Sequence, residues 1–408
     1  MSENGALTWE EYIRCDATDL AQMIHRGDVS AAEIAQQAAL ATERVNPTIN
    51  AVIEVFEDVV KDPLKNGMNA QGSFAGVPMM LKDLASRMKG RVQESGYAWQ
   101  GGNVADDDDP LTRNLRQAGF NLIGRTTTPE DGMAGVTETI KFGITRNPWN
   151  LDRSAGGSSG GSSAAVAAGI LPVCSASDGG GSIRLPASWN GLVGLKHTRG
   201  RLPLPAGLHE ALLPSGVEGI VTRSVRDTAA IHDLICHKPL GTGFMPYPKP
   251  ESLSAQLGVP PRKMRIALST GNWSRAETVP AEHIERVGEV ALWLQGQGHI
   301  VEQVNDSDLC NFEQLFASYK LANWVAPLGN SIPAAAAHFG VTLTTENTSS
   351  QALKLIEAAK SVTVDDYMNA LAVNAQTTRE FGLFWERGFD LLLCPTLGDR
   401  CPEVQSEQ

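Results

Sequence analysis

Two glycine- and serine-rich stretches are the first candidates for chemistry in this sequence. One reads Gly156-Gly157-Ser158-Ser159-Gly160-Gly161-Ser162, the other Asp178-Gly179-Gly180-Gly181-Ser182-Ile183-Arg184. Such composition also makes flexible linkers. Linkers, however, are bordered by polar sequence, and here AAVAAGILPV (164–173) joins the two tracts. That run reads as a small-residue helix ending near Gly169 and feeding a buried strand. Two turns joined by core elements suggest backbone brought close to a ligand, where side chains do not fit. A phosphate loop needs Gly-Lys-Ser/Thr after its glycines, and neither tract has it. A dinucleotide fingerprint needs a strand directly before the glycines, and NPWNLDRSA is not one. The spacing Gly157-x-Ser159-x-Gly161 matches a nucleophile-elbow pattern, but again without the preceding strand.

Acyl chemistry remains. Consecutive amides from Gly179 through Gly180 and Gly181 to Ser182 can converge on one point, as a hole for the oxyanion of a tetrahedral intermediate. Ser182 ends the turn, so its hydroxyl can lie beside that hole. A serine needs a base to take its proton. The candidate is Lys82, the charge that closes the apolar run GVPMML. Burial disfavours a lysine's charged form, by up to ~3–5 pKa units, and leaves an amine able to accept a proton near neutrality. The competing reading is a lysine that packs its stem and reaches water with its head.

The elements that must position these residues are those of an α/β protein. Residues 17–45 read as two amphipathic helices separated by a turn at Gly27-Asp28, the second capped by Ser30. Strands are expected at 76–84 and 121–126 and a helix over 111–119, followed by an irregular segment over 127–163. Pro186 marks a position where a helix can begin. A proline-rich connection spans 239–261. Beyond it come a strand at 264–270, a helix over 281–298, a strand at 300–304, a helix from the Thr363/Asp366 capping signal to about 388, and a strand in FDLLLCPT (389–396). This alternation predicts parallel strands with crossover helices. The economical architecture is one domain over 1–408, a central mixed twisted sheet with helices on both faces, with 239–261 as the one plausible boundary.

Bulk properties exclude several function classes. The 408-residue chain carries a net charge of −12, which repels nucleic-acid backbones and anionic membranes, so neither is expected as a partner. No apolar run approaches the ~20 residues of a membrane span, and the start has no signal-peptide pattern. The six cysteines are scattered with no Cys-x-x-Cys pair, which reads as free thiols in a cytoplasmic protein. The eight histidines show no metal-ligand spacing, and Asp106 to Asp109 lack the pattern of a calcium loop.

Taken in order, GVPMMLKD, AGGSSGGSSAAVAAG, ASDGGGSIRLPA and GLVGLKHTRGR closely resemble the amidase-signature enzymes, with NPTINAV, Thr128-Pro129-Glu130 and FGITRNPWN as flanking support. The resemblance is dense over roughly 15–230 and loose over 260–397. It implies an amidohydrolase with Ser182 as nucleophile, Ser158 as a bridging serine preceded by a cis peptide bond, and Lys82 as the general base acting through Ser158. Gly179, Gly180, Gly181 and the Ser182 amide match the oxyanion hole. Asp178 and Arg184 hold the turn by hydrogen bonds, and Ser159 and Ser162 cap and orient the helix that follows. No metal and no organic cofactor is required. The implied substrate is a small amide, with carbamate (urethane) and ester bonds open to the same chemistry. A glutamine-amidase subunit serving tRNA amidation and a non-catalytic binding protein are the alternatives. A homodimer is common among relatives.

Two departures stand out. His197 replaces a proline that is common in the GLK-x-T-RGR word, in a scaffold turn. The chain also stops soon after FDLLLCPTL, where family members usually continue with strands that finish the core, so either a compact member or a shortened chain is expected. Specificity is expected from the loops at 127–140 and 203–215 and the helices at 311–380. Met79, Met80, Met133, Leu204, Trp324 and Phe339 are apolar residues available for a pocket wall, and each can equally be core.

Overall fold

Local capping chemistry sets the first helices, at Ser30 as the sequence predicts and at Asp16 besides. In this computed structural model, Asp16 and Ser30 cap helices Ala17–Arg26 and Ala31–Ile49 through reciprocal bonds with Asp19 and Glu33. Gly27, at φ 76°, ends the first of them. The structure describes residues 7–65, 67–202, 204–205, 215–236, 252–273 and 278–404. Most of the 203–215 loop and of the 239–261 connection lies outside the described residues.

The described chain divides into two compact units. The first contains Met1–Leu257, Pro333–Leu353 and Cys401–Gln408, the second Gly258–Ile332 and Lys354–Arg400. The first unit is built on a six-stranded sheet of β1 (Val52–Val55), β2 (Pro78–Lys82), β3 (Asn121–Thr126), β4 (Val173–Asp178), β5 (Val193–Gly194) and β6 (Val217–Thr222), in the order β1-β3-β2-β4-β6-β5. β2 runs parallel to β3 and β4, whereas β1, β6 and β5 pair antiparallel with their neighbours, so the sheet is mixed. Helices flank it, with Gly160–Ala167 packed on β4 and Val225–Ile235 on β6. The central strands are buried along their length, as expected where layers cover a sheet. Met79 and Met80 of β2 belong to this core and are fully buried.

Parallel strands have a directional consequence. β2 and β4 both end, at Lys82 and Asp178, on the same edge of the sheet. In open α/β sheets ligands bind just outside the carboxyl ends of the strands.

In the second unit, β7 (Arg265–Leu268) lies between β8 (Ile300–Gln303) and β9 (Leu391–Leu393), all parallel. Helix Ala281–Gly296 makes the crossover from β7 to β8. Thr363 and Asp366 form the expected capping box of helix Val364–Glu386. A small aromatic core of Phe312, Phe384 and Phe389 with Ala267 and Val304 fills this unit.

Candidate active site

Lys82 closes β2 and is 1 % exposed. Its backbone N–H donates to Ser175 Oγ at 2.8 Å. Its Nζ donates to Ser158 Oγ at 2.7 Å and to Ser177 Oγ at 2.9 Å. Ser175 and Ser177 are two apart on β4, and a strand's period of two puts both on the face that meets Lys82. The ammonium form thus has hydroxyls but no carboxylate in direct contact among the described residues. Burial pulls the lysine down to a pKa of about 7, against the opposing pull of the Asp178 and Glu218 charges. The snorkelling alternative is not what the chain adopts, since the amine faces inward.

Ser158 comes from the first glycine/serine tract. The Gly157–Ser158 peptide bond is cis. Helix Gly160–Ala167 starts inside the tract, earlier than the sequence suggests, because the small residues Gly160 to Ser163 pack as fully as the alanines after them. Ser162 Oγ lies 2.8 Å from Thr126 Oγ1 and ties the helix to the end of β3. Ser159 occupies the N-cap position without a side-chain cap bond. It turns instead to β4, where its hydroxyl donates to the Ser177 carbonyl and accepts from the Ser177 N–H, both at 3.3 Å. A fully buried hydroxyl engaged in this way is poorly suited to the nucleophile-elbow role that its spacing allows.

The second tract is organised by Asp178. Its buried carboxylate accepts from the amides of Gly181 (2.7 Å) and Ile183 (3.2 Å), and from Arg184 Nε (2.8 Å) and Nη2 (3.0 Å) in a fork. Burial alone pushes Asp178 up. Arg184 and the amide donors outweigh it and hold the carboxyl below its ordinary value. The turn then enters helix Arg184–Trp189, which begins two residues before Pro186, the expected starting position, and holds Pro186 in its first turn. The Gly181 amide is spent on Asp178, while the amides of Gly180 and Ser182 meet no acceptor among the described residues. Ser182 is 9 % exposed, and its hydroxyl has no hydrogen-bond partner among the described residues.

The sequence reading missed Ser177, which completes the lysine's contacts, and Glu218, whose carboxylate is buried on the neighbouring strand. Alternation along β4 is a signal for Ser177. For Glu218 the signal is a single acid in the otherwise apolar run VEGIV. Among the described residues no group of three or more His, Cys, Asp or Glu side chains comes together in a way that can hold a metal ion.

Comparison with known proteins fits this geometry. A family model described as Amidase matches residues 33–408. The 6-aminohexanoate-cyclic-dimer hydrolase of Paenarthrobacter ureafaciens is 34 % identical over 401 residues, spanning 95 % of this chain and 79 % of that one. The lipoamidase of Enterococcus faecalis is 30 % identical, covering all of this chain and 53 % of its own. A solved 6-aminohexanoate cyclic dimer hydrolase with substrate superposes with a TM-score of 0.89 at 31 % identity, covering 96 % of this chain and 81 % of that one. A bacterial aryl acylamidase of the amidase signature family superposes with a TM-score of 0.85 at 27 % identity, with the same coverage. The chain therefore belongs to the amidase-signature family and is a hydrolase of carbon–nitrogen bonds other than peptide bonds.

Proposed function

We propose that the protein hydrolyses small amides through an acyl-enzyme on Ser182, with Ser158 relaying protons to and from Lys82. The observation that carries this reading is the buried Lys82 amine, 2.7 Å from Ser158 Oγ, with its pKa drawn down to about 7. A lysine held this way is a base at neutral pH, and a hydroxyl beside it is a conduit for one proton in and one proton out.

Each half-reaction balances. Ser182 Oγ bonds to the substrate carbonyl carbon, its proton passes to Ser158 Oγ, and the Ser158 proton passes to Lys82 Nζ. The carbonyl oxygen becomes an oxyanion within reach of the free amides of Gly180 and Ser182, where one donor is typically worth ~3–4 kcal/mol of barrier. Lys82 then returns the proton through Ser158 to the leaving nitrogen, and the C–N bond breaks with an amine as product. Water repeats the path, giving the acid and restoring Ser182. Asp178 and Arg184 keep the turn in the shape that presents these amides. The unpartnered Ser182 hydroxyl accords with a relay whose last bond closes when substrate fills the site.

The same acyl chemistry serves carbamates and esters, so the substrate class is decided by what the site admits. Relatives named for a cyclic amide dimer, for lipoamide and for acyl amides support a non-peptide amide as substrate. The test is turnover of an aryl anilide, an aliphatic primary amide, glutamine and an aryl carbamate by wild type and Ser182→Ala. Turnover of at least one that Ser182→Ala loses supports the reading. Equal activity in the variant, or none in the wild type, refutes it.

A further inference from the structure

The fully buried Glu218 is not used by the mechanism above, yet it is placed to act on it. β6 pairs antiparallel with β4, and Glu218 stands directly opposite Ser177. Residues opposed in this way share a face, with Cβ atoms ~5 Å apart. Ser177 Oγ is itself 2.9 Å from Lys82 Nζ, so Glu218 stands one residue across the sheet from the amine's own partner, and its charge acts on the amine. Glu218 is 1 % exposed. Its Oε1 accepts from the Ser86 amide at 2.8 Å and from the Ser86 hydroxyl at 2.7 Å, and Ser86 lies four residues beyond Lys82 with a left-handed φ of 24°. Its Oε2 is buried without a partner. Leaving one oxygen of a buried carboxylate bare costs stability.

We propose that Glu218 is a positioning residue for the reaction, governing through its own charge when Lys82 can take up a proton. This rests on the reading of Lys82 as the base. The charged and titratable groups around the pair are Asp178 from β4, acting on Lys82, and Asp109, acting on Glu218. His197 also holds the Glu218 backbone carbonyl through Nε2 at 2.7 Å. Burial pushes the Glu218 carboxyl up to about 7, against the pull of the Ser86 bonds and the Lys82 charge. The charge of each group thus bears on the protonation of the other. An ionised Glu218 keeps the proton on Lys82, and a protonated Glu218 frees the amine to act.

Glu218→Gln keeps an oxygen for Ser86, offers an amide where the bare oxygen stood, and removes the charge. Lys82 then loses its proton more readily, and the acid limb of its reactivity moves to lower pH. The probe is a small fluorophosphonate, whose second-order inactivation of Ser182 is measured across pH 5–10. An opposite charge in near contact typically moves a pKa by 1–3 units; Glu218 acts without direct contact, so the expected shift is at the low end, on the order of one pH unit, seen as a several-fold faster reaction below the wild-type midpoint. An unmoved limb in folded Glu218→Gln overturns the proposal, as does a lower plateau with no shift, which is what a purely structural role gives. Should Glu218→Gln not fold, Ser86→Ala removes one donor from the ionised carboxylate. It must shift the limb the same way, by less, and no shift there also overturns the proposal. Lys82→Met separates the two claims: if it keeps the wild-type limb, the reading of Lys82 as base fails, whatever Glu218 does.

Discussion

The two glycine/serine tracts are alike in composition and opposite in physics. In the first, glycine is demanded by space. A Cβ on Gly161 lies 2.3 Å from Thr127 Oγ1, 2.4 Å from Thr127 N and 2.6 Å from the Ala51 carbonyl, and neither backbone contact can give way cheaply. In the second, glycine is demanded by conformation. Gly181 sits at φ 131°, yet a Cβ there meets nothing closer than the Leu185 side chain at 3.8 Å. The first tract is a packing device that fixes Ser158 against Lys82 and the sheet. The second is a display device that leaves amides and the Ser182 hydroxyl unspent. One composition thus serves to bury one serine and to present another.

The largest expected effect breaks the buried side of that comparison. Lys82→Met keeps the stem and removes the amine, and kcat should fall ~10²–10⁴-fold, the usual worth of a positioned base, with the circular dichroism spectrum retained. On the proposed reading, a proton held on Lys82 below about 7 blocks it as a base in the wild type. The rate should therefore lose about tenfold per pH unit on the acid side and level off above it. A pH–rate profile of kcat/KM checks this, and a flat profile from pH 5 to 8 contradicts it. The glycines sharpen the contrast. Gly161→Ala should cost ~1–3 kcal/mol or more in urea unfolding, as overpacking does. Gly181→Ala should cost less stability and more activity, on the order of ten- to a hundredfold in kcat, because it tilts the oxyanion donors without crowding a core. The reverse ranking removes the distinction between packing and display. The smallest effect is Arg184→Lys, which keeps the charge but loses the fork on Asp178. The guanidinium is half-exposed, so a several-fold drop in kcat with little change in stability is expected.

Much of this was legible in the sequence, for reasons that differ by element. Ser30/Glu33 and Thr363/Asp366 are local signals, and their helices start where those residues put them. β3 covers Asn121–Thr126 because an apolar run bounded by Gly119 leaves little choice. The start of helix Gly160–Ala167 was not legible, since glycine and serine are poor helix formers and only burial against Thr126, Thr127 and Thr137 makes helix the better use of them. The 127–163 segment conceals short strand pairs, such as Glu138–Thr139 with Gly143–Ile144, too brief for periodicity to show. In the candidate site, the sequence offered Lys82, Ser158 and Ser182 by type and motif, whereas the contact of Ser177 with Lys82 and the placement of Glu218 opposite Ser177 come from strand register that no linear spacing displays.

The central claim is that Ser182 carries the acyl group. The most direct measurement is intact-mass analysis of the protein acid-quenched during turnover of a p-nitrophenyl ester, followed by peptide mapping. The account predicts a mass increase of one acyl group, located on Ser182 and absent from Ser182→Ala. An acyl group on Ser158 or Ser159, or undiminished turnover by Ser182→Ala with no adduct, contradicts it.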